Sequence, residues 1–116
     1  MLRIGQEAGG HGALQALAGA CTEVAEWMIG RASTDDRLAG SYAFTTMMAV
    51  ATCGWLMARQ LAAAQAAGGD TPFLKAKIAA CRYYLDIMVP EALSLKGSAM
   101  AGADLLYALD DDELAA

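Results

Sequence analysis

Twenty consecutive residues, Ala39 to Ala58, carry no charge. A run of that length matches the thickness of a bilayer core. Its chemistry argues against a membrane. Ser41, Thr45, Thr46, Thr52, Gly40, Gly54 and many alanines contribute little to insertion. Arg37 and Arg59 flank the run symmetrically and give no orientation signal. The run instead reads as a helix that is apolar nearly all round from Ala43 to Met57, which belongs at the centre of a bundle or in an interface. Ser33 or Thr34 can cap its start, and Asp35 and Asp36 suit the positive end of the helix dipole. Gly68-Gly69 stops it after Ala67. The expected length is about 45–50 Å. Gly54, Ala58, Ala62 and Ala66 fall at four-residue steps, a stripe that permits a close helix crossing.

Two more helices flank this one. In the first, from about Ala13 to Ile29, Leu14, Leu17, Cys21, Val24 and Met28 recur at spacings of three and four, and Gly30 follows as a stop. The third begins with Thr71 as cap and Pro72 in the first turn, where a missing N–H costs nothing. Its seam is Leu74, Ile78, Cys81, Leu85, Met88, Ala92, Leu95 and Ala99. Pro90 lies inside it and cannot donate to the Asp86 carbonyl. The apolar phase continues past it, so a kink is expected rather than a stop. Val and Ile are scarce and no strand pattern appears. The fold class is all-α, an up-down bundle of three long helices, the third kinked at Pro90, completed by oligomerisation. Residues 1–12 read as a flexible Gly-rich lead, 13–109 as the bundle and 110–116 as a solvated acidic tail.

The chain has 116 residues, which is one domain, and 57% of them are hydrophobic. A domain of this size buries only about two-thirds of its unfolded surface. Part of the apolar surface is therefore expected to face another copy or another domain. Phe44, Met47, Met48 and Trp55 are the candidate interface, and a homo-oligomer is expected. Eight basic residues against thirteen acidic ones, with no basic cluster, give nucleic acid no footprint. Cys21, Cys53 and Cys81 each fall in an apolar stripe and read as buried free thiols of a cytoplasmic protein. The single His11 has no spaced partner, so no metal site is expected. Met1 to Gly12 has no apolar core of a secretory signal.

Candidate chemistry is sparse. Arg82 and Asp86 can pair one helical turn apart, as a surface ion pair. Glu23 and Glu26 lie three apart, but a di-iron helix needs a Glu-x-x-His pair and no His is available. Arg59 follows Trp55 by one turn and can place its cation over the indole. Tyr83, Tyr84 and Tyr107 read as core or interface aromatics. Gly9-Gly10-His11-Gly12 follows no strand, so it is not a nucleotide fingerprint.

Several segments carry a family pattern. They are Gly54-Trp55-Leu56-Met57-Ala58-Arg59 and Ala67-Gly68-Gly69-Asp70, then Thr71-Pro72-Phe73-Leu74-Lys75-Ala76-Lys77-Ile78-Ala79 and Arg82-Tyr83-Tyr84-Leu85. Ile87-Met88-Val89-Pro90-Glu91-Ala92 and Ala101-Gly102-Ala103-Asp104-Leu105-Leu106-Tyr107-Ala108-Leu109 complete the set. From about Leu14 onward the chain resembles the helical domain at the extreme C-terminus of a branch of acyl-CoA dehydrogenases, those like 3-methylmercaptopropionyl-CoA dehydrogenase. The resemblance implies an accessory packing and oligomerisation domain of an FAD-dependent dehydrogenase. The parent's dehydrogenase body is the implied partner. FAD belongs to the parent family, with no cofactor expected in this chain. The catalytic Glu motif has no match, and Glu91 does not stand at the base's position, so no catalytic or flavin-binding residue carries over. The other reading is a free-standing helical dimerisation or interaction module.

Overall fold

A computed structural model describes all 116 residues, Met1–Ala116. It is all-α. A short α1 (Leu2–Glu7) precedes α2 (Gly12–Gly30) and the long α3 (Thr34–Ala66). The return limb is α4 (Pro72–Tyr83), a π segment (Tyr84–Met88), α5 (Val89–Leu93) and α6 (Leu95–Ala99). A 3₁₀ turn at Asp104–Tyr107 and α7 (Asp111–Ala115) end the chain. The α2, α3 and α4–α6 limbs run up, down and up around one core. No helix is long and apolar enough to cross a membrane.

The helix starts follow from capping chemistry. Ser33 Oγ accepts the Asp36 N–H at 3.1 Å, and the Asp36 carboxylate accepts the Ser33 N–H at 3.0 Å. This capping box satisfies two donors that the helix itself leaves open. Thr71 Oγ1 accepts the Leu74 N–H at 3.2 Å, with Pro72 opening α4. Gly68 and Gly69, at φ 100° and 67°, turn the chain from α3 into α4, a backbone shape L side chains rarely adopt. At the end of α2, Gly30 is the last helical residue rather than the stop. The helix closes at Arg31, whose N–H reaches the Trp27 carbonyl.

One apolar cluster holds the three limbs together. The residues Leu14, Leu17, Cys21 and Val24 of α2 are fully buried. They pack with Met47 and Ala51 of α3 and with Cys81, Leu85, Val89 and Ala99 of the return limb. Two glycines of α3 set how close the limbs come. A Cβ at Gly40 would run into the Ala99 carbonyl, and one at Gly54 would lie 2.9 Å from Leu14 and 3.0 Å from Val89. Of the expected small-residue stripe, only Gly54 is buried, with Ala58 half-covered and Ala62 and Ala66 in solvent.

The irregularity expected at Pro90 takes the form of the π segment. Pro90 has no N–H for the preceding turn and its ring crowds that turn, so the helix widens just before it. The Val89 N–H bonds the Tyr84 carbonyl, five residues back. This changes the seam. Val89 is buried, whereas Met88, expected in the core, is 40% exposed. The apolar phase then recovers through Ala92, half-buried Leu95 and buried Ala99.

One segment differs from the sequence reading. The lead does not lie outside the bundle: residues 2–7 form α1, and Ile4 and Ala8 are buried against the core. Gly9 at φ 58° lets the chain turn from α1 toward α2. The acidic end forms α7, capped by Asp110 and Glu113, with every residue from Asp110 to Ala116 exposed.

Candidate functional site

The densest polar cluster joins α1 to α3. Trp55 Nε1 donates to Glu7 Oε2 at 2.7 Å, and Arg3 Nε donates to Glu7 Oε1 at 2.8 Å. The Arg3 and Arg59 guanidiniums lie over the indole, 5.5 and 5.1 Å from its centroid. Bonds from Arg3 first and the Trp55 indole second hold the Glu7 carboxyl below its ordinary value. Helical spacing explains the arrangement. Arg3 and Glu7 share a face of α1, and Trp55 and Arg59 share a face of α3. Both carboxylate oxygens are engaged and no nucleophile adjoins them, so the cluster is built to pin α1 onto α3. The Trp55–Arg59 pair was visible in the sequence. The Arg3 and Glu7 partners were not, although their i,i+4 spacing was the available signal.

The other polar candidates are also structural. Glu23 pairs with Lys96 across α2 and α6, while no partner joins Glu26 to it. Arg82 and Asp86 do not form the expected ion pair. Both line a 330 Å³ cleft with His11, Gln65, Leu61 and Leu85. Asp86 sits in the π segment, where the widened turn disrupts the i,i+4 spacing that would bring the two together. Burial pushes the Cys21 thiol up, which keeps it protonated and unreactive. Cys81 Sγ meets Met57 Sδ at 3.8 Å inside the bundle. Cys53 corrects the expectation of three buried thiols: it is exposed. Its neighbour Tyr84 is pushed up to about 12, by burial first and by Cys53 second. No group of three His, Cys, Asp or Glu is placed to hold a metal ion.

The four residues expected at an interface separate. Met47 is fully buried in the core cluster, so within this chain it is a core residue rather than an exposed one. Phe44 and Trp55 are half-buried against the core, and only Met48 is exposed. The surface left open on α3 lies further round the helix. Leu38, Tyr42 and Leu56 are 66%, 83% and 42% exposed, and Thr45, Ala49 and Thr52 between them are exposed too. Of the four residues named from the sequence, Met48 alone lies among these exposed side chains of α3. An all-round apolar pattern carries no phase, so burial could not be assigned from it.

No curated protein and no solved structure matches this chain. A family described as acetyl-CoA dehydrogenase C-terminal like matches residues 8–110. That span runs from Ala8, at the end of α1, through all three limbs of the bundle to the 3₁₀ turn. The chain therefore belongs to the acetyl-CoA dehydrogenase C-terminal-like family.

Proposed function

We propose that the chain serves as the C-terminal accessory helical domain of an FAD-dependent acyl-CoA dehydrogenase, a packing element without catalysis of its own. The family match over residues 8–110 carries this reading. The side-chain chemistry is consistent with it. The best-developed polar cluster locks two helices together. Large apolar side chains stay in solvent on α3 and on the C-terminal segment, at Leu105, Leu106, Tyr107 and Leu109. Surface of this kind is suited to a macromolecular neighbour rather than to a small substrate. The oxidation of an acyl thioester, with proton removal and hydride transfer to flavin, would belong to the dehydrogenase body. We place the chain in the cytoplasm with that body, with Cys21, Cys53 and Cys81 as free thiols.

The test uses a dehydrogenase of this architecture from which the C-terminal helical domain has been deleted. Adding the chain should restore the truncated enzyme's melting temperature, with a one-to-one complex on gel filtration. The chain alone, purified with excess FAD, should carry no flavin absorbance and turn over no acyl-CoA with an artificial electron acceptor. Stoichiometric flavin, turnover above a blank, or failure to associate with the truncated body would overturn the reading.

A further inference from the structure

We infer that the outer face of α3 is the seam of an antiparallel pair formed with a second copy of this chain. The inference is drawn from the face itself and does not rest on the functional reading. Leu38, Tyr42, Thr45, Ala49, Thr52 and Leu56 step by four, three, four, three and four, the spacing of a helix–helix seam. All are exposed. The stripe is about 27 Å long by helix rise.

Three of the hydroxyls on and beside this face are bonded within α3. Ser41 Oγ donates to the Leu38 carbonyl at 2.8 Å, Thr46 Oγ1 to Tyr42 at 3.0 Å and Thr52 Oγ1 to Met48 at 2.8 Å. These three hydroxyls are satisfied within their own helix, so desolvating them leaves no orphaned donor, whereas the Tyr42 and Thr45 hydroxyls need a partner across the pair. No charge lies between Ala39 and Ala58 to resist burial.

The pattern is symmetric about residue 47. Antiparallel pairing there sets Leu38 against Leu56, Tyr42 against Thr52 and Thr45 against Ala49. Bulk meets at the outer positions and small side chains meet at the centre, where the helix axes must approach. A self-complementary patch of this kind is what a two-fold pair requires.

Charge selects the antiparallel direction. The chain beyond Ala101 carries Asp104, Asp110, Asp111, Asp112 and Glu113 with no basic residue. It is fixed to the start of α3 by the Ala103 N–H, which donates to Asp36 at 2.9 Å. The opposite end, from Arg59 through α4, carries Arg59, Lys75, Lys77 and Arg82 against the single acid Asp70. Antiparallel copies bring the acidic end of one beside the basic end of the other. Parallel copies would set acid against acid, which opposes association.

Light scattering across a concentration series tests the pair. The expected mass is 2 × 12.0 = 24 kDa. Ala49→Glu and Tyr42→Glu, each with an unchanged helical circular dichroism spectrum, should return it to 12.0 kDa. Direction is read in a Cys53→Ser background. A mixture of Leu38→Cys and Leu56→Cys chains should give a mixed covalent dimer with a short bis-maleimide, and neither variant alone should. A monomer mass at every concentration, as when a different protein covers this face, overturns the proposal. So does a folded Ala49→Glu that stays dimeric, or a Leu38→Cys chain that cross-links to itself.

Discussion

Asp36 closes two parts of the chain that lie far apart in sequence. Its carboxylate accepts the Ser33 N–H at the start of α3 and the Ala103 N–H, 67 residues later. The Ser33 amide bond first, the Ala103 amide second and the Ser33 hydroxyl third hold its carboxyl below the ordinary 3.8. A depressed folded value means the stabilisation is complete above the ordinary value and is lost as pH falls through the lower one. Asp36→Asn should therefore lower the melting temperature at neutral pH. The gap to wild type should shrink on acidification below the carboxylate range, as read by thermal melts across pH. The α3 glycines make a second prediction at this scale. Gly→Ala within a helix normally gains about 1 kcal/mol. At Gly40 the new methyl meets a backbone carbonyl that cannot move without displacing α6. Gly40→Ala should lose roughly 2–3 kcal/mol. Gly54→Ala meets the ends of Leu14 and Val89 and should lose less, by urea titration. A cap at Ser33 or Thr34 was legible because it is local. The Ala103 bond and the glycine contacts were not, because each depends on a segment brought in by the fold.

The π segment shows how one element can shift the identity of the core. The repeat of three and four put Met88 in the seam, because it assumes α-geometry throughout the third helix. Widening the turn before Pro90 brings Val89 inward and leaves Met88 at the rim. Val89→Ala should cost about 2 kcal/mol through lost burial and a cavity, whereas Met88→Ala should stay under roughly 1 kcal/mol. Denaturant melts of the two variants distinguish the phases, and equal costs would place Met88 back in the core. Other elements were read well or poorly for identifiable reasons. The starts of α3 and α4 and the Gly68-Gly69 turn were clear, since capping and left-handed glycine act over a few residues. The first element, α1, was missed because Gly5, Gly9 and Gly10 weaken helix propensity. Tertiary support from Ile4, Ala8 and the Glu7–Trp55 bond outweighs that weakness.

At the scale of the whole molecule, the bundle is long and thin. Its radius of gyration is 18.3 Å and its extents are 65 × 32 × 15 Å, against about 13 Å for a compact chain of this length. Three limbs in a slender array bury only 23 of 116 residues, so the core offers a small share of the stabilisation that the composition could supply. The sequence showed this excess of apolar side chain but not its location, since location depends on which faces the other limbs cover. Leu38, Tyr42 and Leu56 remain outside, and each gains roughly 1.5–3 kcal/mol on full burial. Such gains must first overcome the lost freedom of two associating chains. What remains stabilises the folded state only in the pair, so it enters the folding equilibrium through protein concentration. The melting temperature should rise steadily from micromolar to millimolar chain, measured by circular dichroism at fixed salt. Ala49→Glu should show a flat, lower value across the same range. A wild-type melting temperature independent of concentration would mean that the isolated bundle holds its fold by the internal core alone.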